Sequence, residues 1–388
     1  MHVNLRGEPD DDATSLRSLL VPPEALNDRA IQDTNAAFMS RSPAMTDEPF
    51  KSQQTIKGGA PGRRSPGISV AISSAMSMTE ILSHLSKHGC SEVTDQIDLS
   101  KSSEFPEVSG GFGDIYRGVL YDGGQVSIKC LRLVINSGTA GEKHVKRTAH
   151  ELYVWSKCSH PNVLEVYGVA RYRHQIGMVS PWMENGNLSD FLSRKPPVDR
   201  CALCVQVAKG AAYLHGQGIA HGDIKGANVL VAHDYTLKLA DFGNSSLKEY
   251  SLQFTITADK LNISPRWTAP EIVLGDAGHS VEADVYAVGM TILEILTGAV
   301  PYAGFSDVTV FAKVLHSIHP TRPEKCIPSG NPQAEFLWML LTTCWAFSPW
   351  DRPSAASVAD QMQLISQEGL LRTDAHCIPY SVLESSTS

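Results

Sequence analysis

His221, Asp223, Lys225 and Asn228 fall within one short loop, and Asp241-Phe242-Gly243 follows soon after. They offer a carboxylate, a lysine and an amide together, then a second carboxylate beside a glycine. Phosphoryl transfer calls for that set. It needs a group to orient an attacking hydroxyl, a cation near the transferred phosphate, and oxygen ligands for Mg²⁺. Upstream, Ser109-Gly110-Gly111-Phe112-Gly113 is a glycine turn between strand-like residues, where backbone N–H groups can approach phosphate closely. Lys129 lies in the apolar run Val126–Cys130 and needs a counter-charge, because an unpaired buried ammonium is costly.

These residues require elements to position them. Strand patterns flank the glycine turn and recur after Asp122-Gly123-Gly124, at 125–132, near 164–170 and at 175–180. Helical periodicity covers 143–157 and, beyond Pro197, residues 199–217, 281–297, 307–316, 333–346 and 354–366. Strands first and helices afterwards predict an α+β protein with two unequal lobes. Ser77-Met78-Thr79-Glu80 matches a capping box, and Ile81, Leu82 and Leu85 give one apolar face, so a short helix at 78–88 is expected, packed on the main domain or, as the alternative, binding a partner. The expected organisation is a disordered region at 1–75, a helix and linker at 76–94, the main domain at 95–366 and a disordered tail at 367–388.

Composition narrows the function. A net charge of −8 and a pI near 6.0 argue against a nucleic-acid partner. The start lacks a basic segment followed by an apolar run, so no secretory signal is read. The apolar stretch around Val285–Pro301 is broken by Gly289, Glu294 and Gly298 and is too short for a membrane span. Eight cysteines include one close pair, Cys201 and Cys204, without the second pair or the histidines that zinc would want. Buried, reduced thiols in a cytoplasmic protein are the expectation.

The order H-x-D-x-K-x-x-N followed by D-F-G resembles the catalytic core of eukaryotic protein kinases, and the likeness extends over about residues 95–366. It implies the two-lobed protein-kinase fold, with a small β-rich lobe carrying one helix and a larger helical lobe, and it implies ATP and Mg²⁺ as cofactors. The glycine turn resembles G-x-G-x-x-G-x-V, with Val108 in the place of the first glycine, Gly110 and Gly113 kept and Ile115 for valine. Val126-Ser127-Ile128-Lys129 resembles V-A-I-K, which makes Glu151, nine residues before His160-Pro161-Asn162, the partner of Lys129. The resemblance places Val108, Gly110, Gly111, Phe112, Gly113, Ile115, Ser127, Lys129, Ser180, Pro181, Met183 and Leu230 around ATP. Ser180 takes the gatekeeper position, Pro181 and Met183 the hinge, and Leu230 the floor under adenine. Asp223 would orient the substrate hydroxyl, Lys225 would neutralise the moving phosphoryl group, and Asn228 and Asp241 would hold Mg²⁺.

Further matches concern the scaffold. Trp267-Thr268-Ala269-Pro270-Glu271 resembles the end of the activation segment, with Arg352 as the implied partner of Glu271. Asp284 matches the aspartate that anchors the catalytic loop, and Ser264 stands where a threonine usually contacts the catalytic aspartate. The Arg266-Trp267 wording looks like tyrosine kinases, whereas Lys225 looks like serine/threonine kinases. This mixture resembles the tyrosine-kinase-like group and implies a serine/threonine kinase with a protein substrate. The alternatives are a pseudokinase scaffold, supported by Val108, Ser127 and Gly222, and a tyrosine or dual-specificity enzyme. Gly222 replaces the usual arginine before Asp223, which implies looser dependence on phosphorylation among Ser245, Ser246, Tyr250, Ser251, Thr255 and Thr257. Oligomeric state stays open.

Overall fold

A computed structural model describes residues 78–87, 89–110, 113–130, 151–173, 175–194, 196–247 and 263–371, all within the unit Gly67–Ser388. The expectations for 1–75, Gly111, Phe112, the first part of the 143–157 helix, Tyr250, Ser251, Thr255, Thr257 and 372–388 lie outside the described residues.

The first lobe begins with helix α1 (Met78–Lys87) and then a five-stranded antiparallel sheet. Its strands are β1 (Val108–Gly110), β2 (Gly113–Val119), β3 (Gln125–Cys130), β4 (Gly168–Tyr172) and β5 (Gln175–Pro181), in the order β1-β2-β3-β5-β4. Alternation in β3 decides where the chemistry sits. Val126, Ile128 and Cys130 are fully buried on one face, so Ser127 and Lys129 must point to the other. Register then sets Ile115 and Met178 on either side of Lys129, and Ser127 opposite Ser180. Residues 151–155 are helical (α2), and Leu152, Tyr153, Val154 and Trp155 are all buried. The strand expected near 164–170 starts later, at Gly168. Before it, Val163 pairs instead with Leu239 and Leu164 N donates to the Leu239 carbonyl, so this stretch belongs to the other lobe's wall.

The second lobe contains α3 (Leu188–Ser193), α4 (Arg200–Gly216), the short strands β6 (Ile219–Ala220), β7 (Val229–Val231), β8 (Leu237–Leu239) and β9 (Ser246–Leu247), and then helices α5 (Pro270–Leu274), α6 (Val281–Thr297), α7 (Asp307–Leu315), α8 (Pro332–Cys344), α9 (Ala355–Met362) and α10 (Gln367–Leu371). Asn187, Asp199, Ser280, Ser306, Asn331 and Ser354 cap their helices by accepting from a backbone N–H three residues on. Helix α6 is the axis of the lobe, buried without a break from Ala283 to Leu296, as expected of a helix apolar all round. The residues that interrupt its apolar pattern each have a structural reason. A Cβ at Gly289 would lie 2.8 Å from both Cys344 Cβ and Trp345 Nε1, and Gly298 ends the helix at φ +70°. Glu294 belongs to the site below.

The α+β two-lobed architecture is the one expected. Helix α1 packs on the main domain through Leu82 and Leu85. Helix α10 corrects the tail boundary at 367, because Leu370 is buried and Asn331 Nδ2 donates to the Gly369 carbonyl at 2.9 Å. Cys201 and Cys204 are core thiols, both pushed up by burial, Cys201 to about 12. Among the described residues no helix is long and apolar enough to cross a membrane.

Candidate active site

The loop after β6 is held from beneath. Asp284, almost wholly buried on α6, accepts from His221 N at 2.7 Å through Oδ2 and from Gly222 N at 2.8 Å through Oδ1. His215 Nε2 lies 3.0 Å from the same Oδ2. Burial pushes the Asp284 carboxyl up, but the His215 hydrogen bond and charge, with the loop N–H groups, outweigh it and hold the pKa below its ordinary value. His221 accepts from Asp223 N at Nδ1 (3.3 Å), which leaves Nε2 to donate to the Ala240 carbonyl at 3.0 Å. Gly222 turns the chain at φ +81°, where a Cβ would lie 2.6 Å from the Asn244 carbonyl oxygen and 2.8 Å from His279 Cγ. A side chain there is excluded by conformation and by space together.

Above that anchor the polar side chains form a closed network. Asp223 Oδ2 accepts from Lys225 Nζ and Asn228 Nδ2, both at 2.8 Å, and Asp223 Oδ1 accepts from Ser264 Oγ at 2.8 Å. Lys225 Nζ also donates to Ser264 Oγ at 2.7 Å. Asn228 gives its second donor contact to the Asp223 carbonyl at 2.8 Å, which leaves its side-chain oxygen as an acceptor or ligand. The four residues reach one point from two segments, so the carboxylate is oriented before any substrate arrives.

Glu294 was not among the sequence-derived candidates. Its Oε1 accepts from Ser189 Oγ at 2.6 Å, and its Oε2 accepts from Gly226 N at 3.0 Å and Trp267 Nε1 at 3.1 Å. Burial pushes its carboxyl up against these three donors. A Cβ at Gly226 would overlap Glu294 Oε1 and Ser189 Oγ, so a side chain there would have to displace this contact. The signal in the sequence was a lone glutamate within an apolar helix, which alone names no partner.

On the other lobe, Lys129 Nζ donates to Glu151 Oε1 at 2.7 Å and to Asp241 Oδ1 at 3.2 Å. Burial works against the ammonium, but the two carboxylates outweigh it and hold Lys129 above its ordinary pKa. Burial likewise pushes Asp241 up, and Lys129 more than offsets this, so Asp241 lies below its usual range. Asp241 occupies the left-handed region at φ 68°, which turns its carboxylate out of the line of β8. Phe242 behind it is fully buried, stacked on Trp155 of α2 at 6.1 Å and tilted against His221 at 5.2 Å.

The segment that follows β5 meets β7. Asn185 N donates to the Val231 carbonyl at 3.2 Å, Val231 N to the Gly186 carbonyl at 2.9 Å, and Asn187 bridges Leu230. Met183 and Leu230 both pack against the main core, Ser180 is buried, and Pro181 ends β5 opposite Val126. Val108 and Gly110 pair with Ile115 and Gly113, and Gly113 has φ +132°. Of the candidate phosphorylation sites within the described residues, Ser245 is buried with Oγ donating to the Phe242 carbonyl, and Ser246 Oγ donates to the His279 carbonyl. The scaffold pair Glu271–Arg352 is bidentate, with both contacts at 2.7 Å.

A family model described as protein tyrosine and serine/threonine kinase matches residues 108–362, well over half of the chain. The chain belongs to that family. Among curated proteins it is 33% identical over 232 residues to mitogen-activated protein kinase kinase kinase 3 of Arabidopsis thaliana, covering 57% of this chain and 35% of the relative. It is 30% identical over 267 residues to tyrosine-protein kinase Btk of Drosophila melanogaster (67% and 32%). It is 28% identical over 257 residues to serine/threonine/tyrosine-protein kinase HT1 of Arabidopsis thaliana (64% and 62%). The chain spans about a third of the length of the first relatives it matches, at 35%, 38% and 28%.

Proposed function

We propose that this chain is a serine/threonine protein kinase that transfers the γ-phosphoryl group of ATP to a protein hydroxyl. The observation that carries the reading is the network around Asp223, in which Lys225, Asn228 and Ser264 fix a carboxylate beside a lysine that can follow the phosphoryl charge. Asp223 accepts or orients the proton of the attacking hydroxyl, and Lys225 balances charge on the group in transit. Lys129, steadied by Glu151, binds the phosphates of the nucleotide. The glycine turn covers them, and the hinge from Ser180 to Met183 with Leu230 encloses adenine.

The donor set suits Mg²⁺. Asn228 has its N–H groups engaged by Asp223 and its oxygen remaining, Asp241 is held as a carboxylate, and Mg²⁺ takes few protein oxygens beside phosphate and water. When bound, the ion would neutralise phosphate charge. Gly222 supports a further reading: with no arginine next to Asp223 in the loop there is none for an activation-segment phosphate to pair with, so activity depends little on such phosphorylation.

Incubation of the full chain with γ-labelled ATP, Mg²⁺ and a generic protein substrate, followed by phosphoamino-acid analysis, tests the function. Label on serine and threonine that disappears with Asp223→Asn is the expected result. Phosphotyrosine alone would move the chain to the tyrosine class, a reading favoured by Arg266-Trp267. Nucleotide binding without transfer would make it a scaffold.

A further inference from the structure

We infer that residues 78–98, which precede the family match, are a positioning element for the helix that carries Glu151. Two independent attachments support this. In the first, α1 buries Leu82 and Leu85, each only 1% exposed, in the same cluster as Leu152, Tyr153 and Trp155 of α2. Gly89 then turns the chain at φ +98°, Cys90 N donates to the Leu85 carbonyl at 3.0 Å, and Cys90 Sγ reaches the Leu152 carbonyl at 3.8 Å. The contact falls on the residue after Glu151.

The second attachment is to the sheet. β4 is an edge strand, and an open edge would present unpaired backbone groups. Residues 91–93 cover it: Val169 N donates to the Ser91 carbonyl and Val93 N to the Val169 carbonyl, both at 2.8 Å. Thr94 Oγ1 accepts from Arg171 N at 3.0 Å, and Asp98 N donates to the Val119 carbonyl at 2.8 Å. The approach is so close that a Cβ at Gly168 would overlap the Ser91 carbonyl oxygen, and Gly168 has φ +153°. Val93 and Ile97 then fill the core on the face of the sheet opposite Lys129.

The segment therefore ties α2 to the sheet that carries Lys129. The Lys129–Glu151 pair holds the helix from the β3 side, and the Cys90–Leu152 contact, anchored by the two buried leucines of α1, holds it from the other. Loosening α1 should let Glu151 withdraw, lowering the rate of transfer and leaving Lys129 Nζ more open to an acylating reagent. Among the described residues, Trp155 on Phe242 is the contact through which the same movement reaches Asp241.

The test uses the full chain with Leu82→Ala/Leu85→Ala, and Leu370→Ala in the distant α10 as a control for lost stability. One measurement is kcat below the melting temperatures of both variants. The other is acylation of Lys129 by an N-hydroxysuccinimide acetate reagent at pH 8, read by peptide mapping. The double variant is expected to lose about tenfold in kcat and to acylate Lys129 several-fold faster, with the control near wild type in both. Unchanged Lys129 acylation in the double variant, or equal changes in the control, would overturn the inference. If the double variant does not fold, Leu82→Val gives the same comparison, with about a threefold effect expected. The kinetic measurement rests on the proposed phosphoryl transfer. The labelling does not, so a chain that fails to transfer phosphate would refute that function and still decide this point.

Discussion

Asp223 and Lys129 serve one site from two lobes, but they are held differently. The loop of Asp223 stands on α6, a helix buried along nearly its whole length, and Asp284 and Glu294 of that helix bind its backbone at both ends. Lys129 is fixed in β3, yet its partner Glu151 comes from a helix secured by residues that precede the family match. The carboxylate proposed to orient the substrate hydroxyl is thus built into the core of its lobe, whereas the Lys129–Glu151 pair depends on the docking of a neighbouring segment. Buried polar contacts in the helical lobe should govern stability, and the ion pair of the other lobe should govern activity.

The largest break should follow Arg352→Met. It strands Glu271 in a buried site, so chemical denaturation should show a loss of about 3–5 kcal/mol. Next comes Asp284→Asn. The amide can accept from only one of the two loop N–H groups, and a buried N–H left unpaired costs about 1–3 kcal/mol, with a fall in kcat as His221 and Gly222 shift. This loss should depend on pH. The folded Asp284 carboxyl lies below its unfolded value of 3.8, so its contribution is complete above that pH and disappears as pH falls from 3.8 toward the folded value. Denaturation curves of wild type and Asp284→Asn should therefore converge across that acidic interval.

Glu151→Gln sharpens the contrast from the other side. Lys129 keeps Asp241 and the new amide oxygen can still accept from Nζ, so stability should change by only about 1–2 kcal/mol, while kcat/KM for ATP falls by roughly tenfold or more. A stability loss as large as that of Arg352→Met would refute the division between the lobes. Gly222→Ala is expected to cost about 1–2 kcal/mol of stability, from the left-handed backbone and the crowding by Asn244 and His279. Arginine at this position would meet the same obstruction, so Gly222→Arg should destabilise the chain.

Much of this site was legible because its residues are close in sequence or bound to fixed turns. His221 to Asn228 form one loop, the glycine turn lies between paired strands, and 281–297 was read to its observed ends. Glu151, Arg352 and Ser264 were reached through the kinase resemblance rather than through any local pattern, and each makes its expected contact. Glu294 and His215 were missed, since a single polar residue in an apolar helix gives no indication of which distant donor it meets. The late start of β4 was missed because Val163 to Tyr167 carry strand-like side chains and find partners in two different sheets.

The sequence by itself determined the chemistry, the two-lobed α+β class and the face of β3 that carries Lys129, because residue type and period two are local properties. Only the tertiary structure decided which groups hold that chemistry in place. Asp284 lies 61 residues beyond Asp223, Glu294 lies 68 beyond Gly226, and Cys90 reaches Leu152 of α2 across the whole of the first three strands. Contacts over such separations form only when the chain has closed, since their energy comes from burial and desolvation that no isolated segment can provide.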